Sequence, residues 1–384
     1  MELIKSFVEA EQTLHDLAVK ATGFDDFGPT EYVEGLRILL KAYDNEALFN
    51  DKGHFTAQAM LVNCLKGRLL TQAGVKQNPE CLDHKIERPI FVVGLPRTGT
   101  TILHRLLSQD SNNQGLEYWL GISPMVRPPR KYWTENLCYQ EVATSLQMMR
   151  ELNPDMQAIH EMTVDGVDEC RLLLMHSFAN VTFQSNATIP SYEQWLYNAD
   201  MSGVYQQYEK ALKLIGTKET DKRWILKDPS HLWAMDRLLE RFPDACIVQT
   251  HRDPVKLIAS VSSLVYTARK IGEPDISAAA IGLQQLEQWK IVLEKAMAVR
   301  EKFPNNFYDV YFDDFINDPV TVVDNIYTNF GGELRADAAE QLRQWMITNP
   351  QGKHGGHQYR PEDFGLTEAQ IRDHYGNYQS QFFK

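Results

Sequence analysis

Apolar residues return every three or four positions through the first part of the chain. Leu3, Ile4, Phe7, Val8, Leu14 and Leu17 keep this spacing over residues 2–19, and it continues over 32–40 and 54–71. A helix face repeats every 3.6 residues, so these stretches predict amphipathic helices and a helical N-terminal extension over residues 1–85. The pattern stops at QAGVKQNPE, where glycine and proline punctuate the chain. Beyond it the pattern changes: residues 89–93 are a short β-branched run ending at Gly94, and 100–108 return to helical spacing. Further strands are predicted at 224–226, 245–250 and 307–312, separated by helices at 230–241, 255–269 and 283–303. Strands alternating with helices predict an α/β domain over 86–384, a P-loop-like, doubly wound parallel sheet with helices on both faces. Residues 112–220 are mostly helical in pattern and rich in aromatics and prolines, as in ISPMVRPPRKYW and IPSYEQWLY. They predict a helical insertion over the carboxyl edge of the sheet.

The first strand leads into GLPRTGTT, Gly94 to Thr101. Two glycines separated by four residues, then threonines, reproduce a phosphate-binding loop except that Thr100 stands where such a loop carries lysine. Backbone amides at a strand-to-helix turn still favour an anion. What is missing is the cation that grips the β- and γ-phosphates of a nucleoside triphosphate. Arg97 brings a cation into the loop itself and can fork onto one tetrahedral anion, with Thr98, Thr100 and Thr101 adding hydroxyls. This suits a single phosphate bearing another tetrahedral group better than a metal-bound triphosphate. A second stretch, ACIVQTHRDPVKLIASVSSL, ends a strand at His251-Arg252-Asp253 and opens a helix at Pro254. Ser260 follows Arg252 by two helical turns, so its hydroxyl and the guanidinium can converge on one phosphate.

Composition narrows the partners. A formal net charge of -12 argues against a nucleic-acid or polyanion surface, so the anion site is local. The cysteines, Cys64, Cys81, Cys138, Cys170 and Cys246, are odd in number and have no CxxC pair. They suggest neither a disulfide framework nor a zinc site, and a reducing cytoplasm fits them best. MELIKSFVEAEQTLHDLAVKATG does not read as a secretion signal, and no segment has the apolar length of a membrane span.

Together the two loops resemble the sulfotransferase family that uses 3'-phosphoadenosine 5'-phosphosulfate (PAPS) and releases 3'-phosphoadenosine 5'-phosphate (PAP). GLPRTGTT is similar to its 5'-phosphosulfate loop, and the Arg252 to Ser260 spacing to its 3'-phosphate motif. Lys227 in WILKDPSHL matches the lysine that the family places on the intervening strand, and VYFDDFINDP looks like its YEDL-type strand end near Tyr311 to Asp314. The resemblance covers residues 88–318, with a looser echo in KHGGHQYRPEDFGL. Arginine in the loop and the helical extension look more like the bacterial-type branch.

The resemblance implies metal-free, in-line transfer of a sulfuryl group to a hydroxyl of a small-molecule, glycan or lipid-like acceptor. Pro96, Arg97, Thr98, Gly99, Thr100, Thr101, Lys227, Arg252 and Ser260 would hold the donor. Lys353, His354, His357 and Arg360 form a basic cluster that either closes over the 3'-phosphate or is a surface loop. Arg97 and Lys227 would meet the charge developing on the bridging oxygen. For the proton acceptor, Glu117, His231 and the His160, Glu161 and Glu169 segment all remain candidates. Trp119, Tyr132, Trp133, Tyr192, Trp195 and Tyr197 offer either core or an acceptor pocket. A homodimer is compatible with all of this. A P-loop kinase or NTPase, and a non-catalytic nucleotide-binding protein, are the alternatives.

Overall fold

The computed structural model describes residues 3–152, 162–349 and 359–383. The chain divides into two compact units. One, comprising Ile86–Gly115, Asp221–Tyr266 and Ser277–Lys384, holds the sheet. The other, comprising Met1–Lys85, Leu116–Thr220 and Thr267–Ile276, is helical.

The sheet has five parallel strands in the order β2-β3-β1-β4-β5. They are β1 Ile90–Gly94, β2 Asn113–Gln114, β3 Arg223–Lys227, β4 Cys246–His251 and β5 Phe307–Tyr311. Every residue of β1 and β4 is buried, which explains why β1, IFVVG, and the first half of β4, CIV, read as continuous apolar runs rather than alternating ones. On one face Ile90, Val92, Ile225, Val248 and Val310 form a single core with Leu103, Leu106 and Leu107 of helix α4 (Thr100–Leu107) and with Phe315 and Ile326 further along the chain. Phe91 points to the opposite face, against Phe242 and His231. The sheet is thus covered on both sides, as expected for the doubly wound class.

Three local departures have physical reasons. Strand β2 lies where a helical pattern was expected from residue 112. It is only two residues long, and its pairing with Arg223 and Trp224 is set by a partner over a hundred positions away. The expected strand at 307–312 stops at Tyr311, and Phe312 instead opens the helix Phe312–Asn317. The helix expected at 230–241 begins as a 3-10 turn, Pro229–Ala234, before Met235–Arg241 becomes α-helical.

In the helical unit, the N-terminal periodicity becomes a 3-10 turn at Val8–Ala10 followed by α1, Glu11–Thr22. It packs with α2 (Tyr32–Asn45) and α3 (Asp51–Gln77). Phe7 joins them, its ring 5.1 Å from that of Tyr43 and stacked 4.5 Å from His54. The Asn50 side chain caps α3 by accepting from the Gly53 amide at 2.8 Å.

Candidate anion-binding site at the carboxyl ends of the central strands

In the order β2-β3-β1-β4-β5 the chain departs from β1 in both directions. The carboxyl ends of β3, β1 and β4 therefore lie side by side at the switch point where doubly wound sheets bind ligands. Register aligns them: Val92 pairs with Lys227, and Gly94 with Thr250.

The loop after β1 is built by close contacts. A Cβ on Gly94, whose φ is 149°, would lie 2.3 Å from Thr250 Oγ1 and 2.7 Å from the Thr250 carbonyl oxygen, so only glycine fits against β4. Gly99 caps α4 with φ 91°, and a Cβ there would come within 3.1 Å of the Phe312 ring. Between them Arg97 takes φ 72°, a left-handed conformation that costs a non-glycine residue about 1–3 kcal/mol. Several contacts offset that strain. Thr98 Oγ1 donates to the Leu95 carbonyl at 2.7 Å, Arg252 Nη1 donates to the Arg97 carbonyl at 2.9 Å, and Arg97 Nε donates to Ser260 Oγ at 3.3 Å. The arginine of the loop and the arginine-serine pair eight residues apart are thereby one cluster.

The other cations converge from neighbouring strands. Lys227 is the last residue of β3, is only 1% exposed, and donates to Thr101 Oγ1 at 3.1 Å. The Arg252 guanidinium lies 3.9 Å from the centre of the Phe312 ring. Burial, and next the positive charge of Arg97, lower the Arg252 pKa, while Asp313 and Asp253 oppose the shift. Two guanidinium groups held close enough to repel, beside a helix N-terminus, make a positive site within an acidic protein.

Pro96, Arg97, Thr98, Gly99, Thr100, Thr101, Lys227, Arg252 and Ser260 thus all belong to one local structure. His231 does not face it as a solvated base. It is fully buried, its ring edge-on to Phe91 at 5.0 Å, and burial pushes its pKa down to about 3. In the helical unit Glu117 precedes the short helix Tyr118–Ile122. Its carboxylate accepts from Arg127 Nε at 3.1 Å and Nη2 at 3.0 Å, and Arg127 also pairs with Glu219. Burial nevertheless raises the Glu117 pKa above the ordinary carboxylate value. Glu169 accepts from Arg171 Nε at 2.8 Å. His160, Glu161, Lys353, His354 and His357 lie outside the described residues, and Arg360 is exposed, donating to Asp363 Oδ1 at 3.0 Å. Trp119 and Tyr192 are fully buried core residues, Trp119 packing on Trp133 at 5.7 Å. Tyr132 is exposed.

Sequence reasoning missed Phe312, which supports Arg252, and Thr250, whose hydroxyl meets that of Thr98 and donates to the Val93 carbonyl at 3.2 Å. Thr250 had a signal in its position just before His251-Arg252. Phe312 lies inside the VYFDDFINDP stretch, but nothing there marks its contact with Arg252, which depends on β5 lying beside β4.

The profile of the sulfotransferase family matches residues 89–336, most of the chain. The chain belongs to the sulfotransferase family. This sulfotransferase is similar to the crystal structure of sulfotransferase STF1 from Mycobacterium tuberculosis H37Rv, with 37% identity and a TM-score of 0.88, covering 97% of this chain and 100% of that one. It is also similar to sulfotransferase STF9 from Mycobacterium avium, with 25% identity and a TM-score of 0.90, covering 100% of this chain and 98% of that one. Omega-hydroxy-beta-dihydromenaquinone-9 sulfotransferase Stf3 of Mycobacterium tuberculosis is 25% identical over 300 residues, 75% of each chain. The enzyme is a transferase, and among the described residues no helix is long and apolar enough to cross a membrane.

Proposed function

We propose that this sulfotransferase takes its sulfuryl group from PAPS and passes it to a hydroxyl of its acceptor. The observation that carries this reading is the linkage of Arg97 to both Arg252 and Ser260, at 2.9 Å and 3.3 Å, with Lys227 on the adjoining strand. The donor set fits a nucleotide with two separate anionic groups. Arg97, Lys227 and the amides of residues 97–101 would hold the 5'-phosphosulfate, and Arg252 and Ser260 the 3'-phosphate.

PAPS supplies an activated sulfuryl group, whose departure leaves negative charge on the bridging oxygen of the 5'-phosphate. Lys227 is held by Thr101 and Arg97 by Ser260, so both cations are oriented before any charge develops. Electrostatic catalysis depends on such preorganisation, and one donor of this kind is worth roughly 3 kcal/mol of activation free energy. Glu117 is our choice for the proton acceptor. Its raised pKa brings its basicity closer to neutrality, and Arg127 holds its orientation. Among acceptor classes, a lipid-like alcohol is favoured by the relative named for omega-hydroxy-beta-dihydromenaquinone-9.

Calorimetric titration tests the donor assignment. PAP should bind equally well with magnesium or with a chelator present, and ATP should compete poorly in both conditions. Magnesium-dependent ATP binding tighter than that of PAP would replace this reading with a kinase or NTPase.

A further inference from the structure

The helical unit contains a cavity of about 400 Å³ that none of the catalytic assignments uses. Tyr43, Phe49, Met60, Leu146, Met162 and Ile271 are among the residues lining it. Phe55 and Met149 also line it yet remain 44% and 49% exposed. Native interiors are close-packed, so an apolar hollow of small-molecule size with unburied apolar side chains is a binding feature rather than a packing solution.

One wall is held rigidly. A Cβ on Gly53 would lie 2.6 Å from Gly272 Cα, so α3 and the 267–276 segment touch backbone to backbone. The Asn50 amide donates to the Gly272 carbonyl at 2.8 Å, and Asn50 Nδ2 to that of Ile271 at 3.0 Å. The fully buried Glu273 ties the same segment down, accepting from the Leu48 amide at 3.2 Å and from Thr188 Oγ1 at 2.6 Å. The methionines of the lining, Met60, Met149 and Met162, are unbranched and adaptable.

Among the described lining residues the charged Asp51 and Lys52 are exposed to solvent, and three of the other polar side chains are already engaged with backbone carbonyls. Thr56 Oγ1 donates to the Lys52 carbonyl at 2.8 Å, Asn186 Nδ2 to that of Thr182 at 2.7 Å, and Arg150 to that of Met162. A peptide segment or a sugar entering this space would bury amides or hydroxyls against apolar walls, at a cost of roughly 1–3 kcal/mol per unmatched group. A hydrocarbon chain carries no such groups. We propose that this cavity is a subsite for the hydrocarbon chain of the acceptor, which is therefore an alcohol carrying a long apolar chain. The acceptor part of this inference rests on the sulfotransfer reading above.

Radiolabelled farnesol is a suitable probe, and equilibrium dialysis against the full chain without nucleotide reads its binding. Ala268→Trp fills the cavity from a partly exposed position, and Met149→Asp charges an exposed part of the lining. Saturable farnesol binding should weaken at least tenfold in both variants, while PAP binding by calorimetry stays unchanged. With PAPS present, KM for sulfation of farnesol should rise at least tenfold in both, and butanol should be no substrate. Farnesol binding that is absent or indifferent to both substitutions overturns the proposal, as does sulfation of farnesol at unchanged KM. Loss of dimerisation in the variants without farnesol binding would instead make the cavity an interface between copies. PAP failing to bind any of the proteins, with farnesol binding intact, would sink the donor assignment and leave the cavity as an apolar-chain site.

Discussion

Replacing Arg252 with alanine separates the two halves of the anion site. The substitution removes a guanidinium that is half-buried on the Phe312 ring and donates to the Arg97 carbonyl. Truncating a buried, hydrogen-bonded charge costs roughly 2–5 kcal/mol. Because this side chain keeps part of its solvent exposure, the lower part of that range applies, about 2–3 kcal/mol, and PAP affinity should fall about 30- to 150-fold. Adenosine 5'-phosphate (AMP) lacks the 3'-phosphate but still feels the loop. Losing the bond to Arg97 removes about 1 kcal/mol of support from a left-handed arginine, so AMP should weaken by no more than about fivefold. Arg252→Lys keeps the charge but not the fork, and its PAP affinity should fall between wild type and Arg252→Ala. Calorimetric titration of both nucleotides into all three proteins measures these ratios. Equal losses for PAP and AMP would refute the assignment of Arg252 to the 3'-phosphate and reduce it to a prop for the loop.

Lys227→Met keeps the length of a side chain that is only 1% exposed but removes its charge. The single-turnover rate of sulfate transfer should drop about a hundredfold or more, with a smaller change in PAP affinity, and a loss confined to PAP affinity would deny it a transition-state role. Glu117→Gln should lower kcat by roughly 10²–10⁴ while nucleotide binding measured by calorimetry is unaffected. Its acidic limb in the wild-type pH-rate profile should lie above the ordinary glutamate value, following the upward shift that burial imposes. A limb at or below that value would point to another base. Stability should also depend on acid. His176 and His231 are buried, and their pKa values are pushed from 6.5 down to about 3. Between those values the unfolded chain binds more protons than the folded one, so their contribution is complete above pH 6.5 and falls as pH drops. The slope is about 1.4 kcal/mol per pH unit for each histidine, or about 2.7 for both between pH 6 and 4. Urea unfolding across this range measures it, and a flat profile would show that these imidazoles are not held neutral.

The sequence by itself determined the pieces whose signals are local. A β-branched run ending in glycine, a loop with Thr100 at the lysine position and Arg97 within it, and the eight-residue step from Arg252 to Ser260 are written in short stretches. With the alternation of strand and helix patterns they marked all four principal strands to within one residue at each end. The last of them, β5, ends one residue before the expected boundary, because nothing in VYFDDF indicates that Phe312 leaves the strand and meets the Arg252 guanidinium. Tertiary structure decided whatever depends on partners distant in the chain. Strand β2 exists only through pairing with β3, His231 is neutral because Phe91 and its neighbours enclose it, and the apolar cavity arises where α3 meets a segment some two hundred residues later. Backbone periodicity and turn chemistry act between near neighbours, whereas burial, ion pairing and cavity shape are set by what the folded chain brings against each side chain.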